Sequence, residues 1–503
     1  MKPLKGVPAL ALIAMMQPAF ADVSAQQVWD DLEAYLEGFG YDVTGDEALS
    51  GGVLTVSNVV MSVPVPDEED VDVAIRMDSV VFTETGDGAV SVAFPPVMPI
   101  TVSGPEATVR IDYTHDGLEM MVSGDDSTLT YAYSANQLGL ALAELVVEGE
   151  TIPRANARFD ATMGPVEGSS STVYDGSMRT ITQEMSLGTL AYSGAFTDPD
   201  GGNDSASMSG ELVGVMASGD SVVPDELDME DMLAAVAAGF GGSGEMRHGG
   251  SKLEFSVTER SGVTSGQMSS GSGLLEVSFG GEGLSYTLGN TDFVMALTTP
   301  DVPFPINAAM AETGFTIALP VEASDTPQDA ALGVTLGGFT MSDMLWNIFD
   351  PGAALPRDPA TVALDLTAQV TPFFSLLDAE KMEELGMSDE VPGELNAVTL
   401  NALTVEAAGA KLTGTGDFTF DNTDLETFDG MPRPTGKIDL QVEGHNGLID
   451  RLISMGLLAE EDAMGARMML SMFTVPGSGA DTATSTIEIN DQAQIFANGQ
   501  RIQ

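Results

Sequence analysis

Apolar and polar residues alternate with a period of two along much of this chain. Val109, Ile111 and Tyr113 alternate with Arg110 and Asp112. Leu129, Tyr131 and Tyr133 alternate with Thr130 and Ala132, and Leu253, Phe255 and Val257 with Glu254 and Ser256. The same pattern returns at Leu275 to Phe279, Val362 to Leu366 and Ile438 to Val442. Side chains at alternate positions lie on opposite faces of a strand, so each run predicts a strand with one apolar and one wet face. Turn residues punctuate the runs: His115-Asp116-Gly117, Gly124-Asp125-Asp126, Gly281-Glu282-Gly283, Gly289-Asn290 and Asn498-Gly499. At this spacing the chain holds roughly twenty strands. The links are too short for parallel crossovers, so the pairing is antiparallel.

Helical spacing is rarer. Ser24 and Gln27 fit a capping box, and Val28, Leu32 and Leu36 share one face of a helix that Gly38 closes, with Trp29 inside it. Shorter helices are expected at about 228–238, 342–349 (stopping at Asp350-Pro351) and 447–455. The glycine-rich stretch 239–250 reads as a linker. It divides the chain into an N-terminal β-rich half, 22–238, and a C-terminal β-rich half, 251–503. The order strand, turn, aromatic strand, turn, apolar strand occurs at 117–142 and again at 273–297, an internal echo.

Composition then narrows the compartment and the partners. Lys2 and Lys5, the apolar run Val7 to Met16 and Ala19-Phe20-Ala21 read as a signal peptide over 1–21, cleaved before Asp22. No run reaches the roughly twenty apolar residues of a membrane span, so no transmembrane anchor is expected. The chain has no cysteine, so its core alone must hold it together. These features point to the periplasm, with secretion as the alternative. Against 76 Asp and Glu stand 18 Lys and Arg, a net charge of −58. Such a surface excludes nucleic acid, which needs clustered bases. With 43% hydrophobic residues the chain is no disordered polyanion.

Candidate chemistry is sparse. Gly239 to Gly244 matches G-x-G-x-x-G but follows a helix, where dinucleotide binding needs it after a strand. His115, His248 and His445 stand apart in sequence, each in a predicted turn, linker or junction, and no catalytic residue is assigned. Calcium is the one cofactor the acids suggest. One loop offers Asp198, Asp200, Asn203 and Asp204; a second offers Asp417, Asp421, Asn422 and Asp424. The 29 methionines include Met120, Met121, Met295, Met310, Met468, Met469 and Met472. They suit core filling first and an adaptable lipid groove second.

The segment Ile348-Phe349-Asp350-Pro351 through Leu355-Pro356-Arg357-Asp358-Pro359-Ala360-Thr361 resembles a stretch of the alphaproteobacterial domain-of-unknown-function family 2125. The early helix with Trp29 and the C-terminal order of strand, Gly444-His445-Asn446-Gly447, helix and hairpin are similar to it too. The resemblance implies an exported, acidic, β-rich protein and supplies no catalytic residues.

The expected fold is mostly β with a few short helices: an elongated or two-lobed antiparallel sheet or sandwich, or a sheet curled around an apolar groove. The leading functional expectation is a non-enzymatic exported envelope protein that binds or shields a lipid or other apolar small molecule. The alternatives are a periplasmic structural or protein-interaction module and a carboxylate- or calcium-dependent hydrolase.

Overall fold

The computed structural model describes residues 23–38, 40–64, 71–225, 227, 231–387 and 391–503. The expected signal peptide lies outside them. The chain opens with α1 (Ala25–Gly38), where the Gln27 N–H donates to Ser24 Oγ at 3.2 Å as the capping pattern predicts. All strands then join one antiparallel sheet. β1 (Asp42–Ser50), β2 (Val53–Pro64) and β3 (Asp72–Glu84) form a meander.

After β3 the sheet forks. An upper arm starts from its Glu84 end: β4 (Val90–Ala93), β7 (Glu119–Asp125) and β8 (Thr128–Ala135). A lower arm starts from its Asp72 end: β5 (Val97–Ser103), β6 (Ala107–Asp116) and β9 (Gln137–Val147), with β10 (Glu150–Thr151) at the margin. Both arms rejoin on β11 (Ala157–Asp175), which β12 (Met178–Thr197) and β13 (Ser205–Pro224) follow.

A second fork opens on β13. Its upper arm is β14 (Gly241–His248) and β17 (Ser272–Gly280), and its lower arm is β15 (Gly250–Glu259) and β16 (Gly262–Ser270). Both rejoin on β18 (Gly283–Thr298). The sheet continues through β19 (Ile306–Leu319), β20 (Gln328–Met341), β21 (Ala360–Pro372), β22 (Gly393–Ala407), β23 (Ala410–Asp421) and β24 (Arg433–Glu443). β25 (Val475–Pro476), β26 (Thr482–Ile489), β27 (Ile495–Ala497) and β28 (Gln500–Arg501) finish it.

The remaining helices sit in connections: α2 (Met232–Ala237), α3 (Asp343–Phe349), α4 (Ala379–Gly386), α5 (His445–Ser454) and α6 (Glu460–Phe473). None of the described helices is long and apolar enough to cross a membrane. After α3, the buried Asp350 carboxylate accepts the N–H groups of Ala354 (2.9 Å) and Leu355 (3.0 Å), and the Arg357 guanidinium lies over the Trp346 ring at 5.9 Å. The segment that carries the family resemblance is therefore a turn closed on its own buried carboxylate.

The mostly β, antiparallel expectation holds, and each of the six alternating runs lies in a strand. Four details differ. The glycine-rich stretch expected as a linker holds β14, hydrogen-bonded on both sides, because glycine next to serine keeps a ladder although it gives no alternating signal. Gly289-Asn290, expected as a turn, lies inside β18. At Gly117 (φ +64°) the chain passes from the lower to the upper arm instead of closing a hairpin, since β6 pairs with β9 and not with β7. Finally, α4 and α6 were not expected, although Asp378 caps α4 by accepting the Lys381 N–H at 3.0 Å. In α6 the buried Ala463 and the half-buried Ala466, Leu470 and Phe473 share one face, and methionines crowd the other.

Long strands shift their apolar set where a left-handed residue interrupts them. In β2, Leu54 and Val56 precede Asn58 (φ +53°) and Val59 and Met61 follow it, all in one cluster. In β13, Leu212 precedes Gly214 (φ +62°) and Val215 follows it, again in one cluster. The interruption thus keeps even-numbered and odd-numbered apolar residues on one face, as a β-bulge does. The echo seen in the sequence falls on the two forks, but their arms differ in strand number.

Candidate apolar binding face

Residues paired across an antiparallel ladder point to the same face, so the register reads out what each face carries. Met185 of β12 stands beside Ala217, then Met246 and Leu275. The file continues through Leu288, Phe315, Val334 and Leu364 to Leu403. It ends through Gly414 and Leu440 at Ser485. A parallel file, two residues along each strand, runs from Gly219 and Gly244 through Val277, Tyr286 and Ile317 to Leu332. It goes on through Leu366, Leu400, Gly416 and Ile438 to Ile487. One face of the sheet is therefore apolar from β12 to β26.

This face is not sealed. From β14 to β19 no hydrophobic side chain is buried, and Leu288 and Phe315 are each 37% exposed. Where β12, β13, β14 and β17 meet, the face sinks into a cleft of about 470 Å³. Its floor is Ala217, Gly219 and Gly244, and Tyr133, Met185, Met246 and Leu275 stand around it. At Gly244 the nearest atom to an added Cβ would be the Ser218 carbonyl oxygen, 3.7 Å away, so the hollow exists because the side chain is missing. The G-x-G-x-x-G segment thus contributes to the floor of an apolar cleft, with no helix opening behind it.

At the far end, Ser485 on the same file donates its hydroxyl to the Phe473 carbonyl at 2.5 Å, and Asn498 Nδ2 donates to the same oxygen at 2.9 Å. This pins the C-terminus of α6 beside the end of the face. Met464, Met468, Met469 and Met472 project from α6 into solvent. The methionines divide: Met120 packs against the N-terminal core, Met295 and Met310 are half-buried in the sheet, and Met468, Met469 and Met472 are exposed.

The opposite face carries the charges. Lys252 pairs with Glu211 (3.0 Å), Lys411 with Glu406 (3.0 Å) and Lys437 with Asp439 (2.9 Å), and Arg247 pairs with Glu245.

The acids expected to hold calcium are placed as follows. Asp198, Asp200 and Asp204 lie in the exposed β12–β13 turn, where Asp198 Oδ1 accepts the Asp200 N–H at 2.9 Å and the Asp204 carbonyl accepts the Asp198 N–H. In the second loop the chain supplies its own cation. Arg433 reaches Asp421 at 2.8 Å and Asp424 at 3.3 Å. Hydrogen bonds from the Thr423 hydroxyl, Arg433 and the Thr423 N–H hold the Asp421 carboxyl down at about 2. Asp417 lies apart, accepting from the Thr399 hydroxyl. Among the described residues no three His, Asp or Glu converge as a metal site.

Two of the three histidines differ from expectation, while His445 stands at the strand–helix junction as expected. His115 lies in β6, its Nε2 3.1 Å from the Pro95 carbonyl oxygen, and His248 ends β14 instead of sitting in a linker. His445 begins α5, its Nδ1 3.4 Å from Asp481, and Asp481 caps that helix by accepting the N–H groups of Asn446 and Gly447. The three remain apart.

Sequence reasoning missed the glycine floor altogether. The signal available was the small residues on two neighbouring strands, 217–221 and 241–244, flanked by Met185, Met246 and Leu275.

Neither a curated protein nor a solved structure matches the chain. A family model matches residues 231–491, just over half of the chain, from the residue that caps α2 to the loop after β26. That stretch includes the apolar face from β14 onward, though not Met185, Ala217 and Gly219 of β12 and β13, and it shows that the chain belongs to DUF2125, the family described as an uncharacterized protein conserved in bacteria.

Proposed function

We propose that this is a non-enzymatic, exported envelope protein that binds or shields a lipid or other apolar ligand on the open face of its sheet. The observation that carries the reading is the unsealed apolar face between β14 and β19. Exposed apolar surface beyond a few hundred Å² marks a binding surface in a soluble protein. Burying it returns about 25 cal/mol per Å². Lys2, Lys5 and Ala19-Phe20-Ala21 support export, and the periplasm is the favoured compartment.

The test is purification from the protein's own bacterial host without detergent, followed by solvent extraction. Co-purifying lipid in stoichiometric amount is the expected result. Lipid-free protein that also takes up none from phosphatidylcholine vesicles would overturn the reading. A periplasmic protein-interaction module is the second reading, favoured by the four exposed methionines of α6.

A further inference from the structure

We propose that the apolar face is a track for several acyl chains at once, not a seat for a single ligand. The inference rests on the lipid-binding reading above and concerns its capacity. The file from Met185 to Ser485 crosses β12, β13, β14, β17 to β24 and β26. Neighbouring strands lie about 4.8 Å apart, so the file is roughly 50–55 Å long. The hydrocarbon of a whole bilayer is about 30 Å thick, and one acyl chain spans about half of it. The face is thus more than three acyl chains long. It is also wider than one file: the second, two residues along each strand, adds roughly 6.7 Å.

The chemistry along the file does not change. Between Met185 and Leu440 every position is apolar or glycine, with no polar group to stop a chain or to mark one binding position. A chain lying at Leu288 and Phe315 meets the same kind of surface as one lying at Leu364 and Leu403. A single ligand would leave most of this surface wet. Each further chain would bury another stretch at a similar gain per Å². A second copy of the protein is a poorer occupant, because each copy carries a net charge of −58 and repels the other.

The experiment uses the full chain and three single substitutions spread along the file: Met246→Glu, Val334→Glu and Leu440→Glu. Each protein is incubated with phosphatidylcholine vesicles and re-isolated, and its phospholipid phosphate is counted per chain. The expected wild-type count is above one. Each substitution should remove a part of the capacity, roughly one chain's length of track, wherever it stands. A wild-type count of one, abolished by one substitution and untouched by the other two, overturns the track and leaves lipid binding intact. A count of zero overturns the binding reading itself. Any variant whose circular dichroism or melting differs from wild type is set aside, and the other two decide.

Discussion

Beneath α1 the apolar face of the sheet is closed: Leu54, Val56 and Phe82 have no exposed surface. On β18 and β19 the same kind of face is open, and Leu288 and Phe315 keep more than a third of their surface in water. The strands alternate in the same way in both places. The difference is one helix. Val28 and Trp29 of α1 fill the space over β2 and β3, and Trp29 meets Phe82 edge-on at 5.8 Å. In the C-terminal half, α3, α5 and α6 occupy connections between strands, and from β14 to β19 no hydrophobic side chain is buried. The N-terminal region therefore carries a core, while the C-terminal region keeps its apolar surface available.

Removing the cover should have the largest effect. Trp29→Ala opens a cavity among fully buried side chains and deletes the bond from Nε1 to Glu47 at 3.1 Å. It should cost about 3–5 kcal/mol. Leu288→Ala on the open face removes a side chain already partly in water and should cost about 1 kcal/mol or less. Urea unfolding followed by region-resolved hydrogen exchange would compare the two. Equal costs would mean that the open face is as much a core as the closed one.

This contrast was only half legible in the sequence. Val28, Leu32 and Leu36 showed that α1 has an apolar face, and Val362 to Leu366 showed one-sided strands. Coverage, however, is a tertiary property. Nothing local to Leu288 says whether another element will lie over it. The glycines misled for a physical reason: a strand without side chains has no alternation, so β14 was hidden in what looked like a linker. At Asp421 and Asp424 the sequence showed the acids but not their partner: Arg433 returns beside them as the ladder's partner of Asp421.

The second prediction concerns the cleft. Gly244→Val adds a branched side chain where an added Cβ has room, and it points into the hollow. A β-branched residue also favours the strand, so stability should stay level or rise by about 0.5 kcal/mol. Uptake of phosphatidylcholine should fall by the share that the cleft holds. Unchanged uptake would remove the cleft from the binding face. The Trp29→Ala substitution, in contrast, should destabilise the fold without changing the chemistry of the face.

Acid should affect the two regions in opposite directions. Burial raises the Asp31 carboxyl above its ordinary 3.8, even though the Tyr131 hydroxyl donates to it at 2.5 Å and Arg179 lies near. A raised carboxyl contributes stability that is present below its unfolded pKa and lost as pH rises through the folded one. The N-terminal region should thus gain from this group on acidification. Asp421, held at about 2, does the reverse: its contribution is present above 3.8 and lost as pH falls through about 2. Hydrogen exchange compared between about pH 6 and about pH 3 should show protection near α1 rising relative to the β23–β24 ladder. Asp31→Asn should flatten the first trend and Asp421→Asn the second. Parallel trends that neither substitution alters would break the comparison.

The smallest expected effect is a preference between headgroups. Lys252, Lys411, Lys437 and Arg247 all lie on strands of the open region, but each sits on the opposite face and is paired with a carboxylate. The apolar face therefore offers an anionic headgroup no base of theirs to meet, and the surrounding charge of −58 repels it. Screening confines that repulsion to about 8 Å at physiological salt. The penalty should be modest, on the order of a few-fold in uptake, about 1 kcal/mol. Phosphatidylcholine should load better than phosphatidylglycerol, and the difference should shrink as salt is raised. A preference for phosphatidylglycerol that weakens with salt would mean that the headgroups reach the bases of the charged face of the sheet.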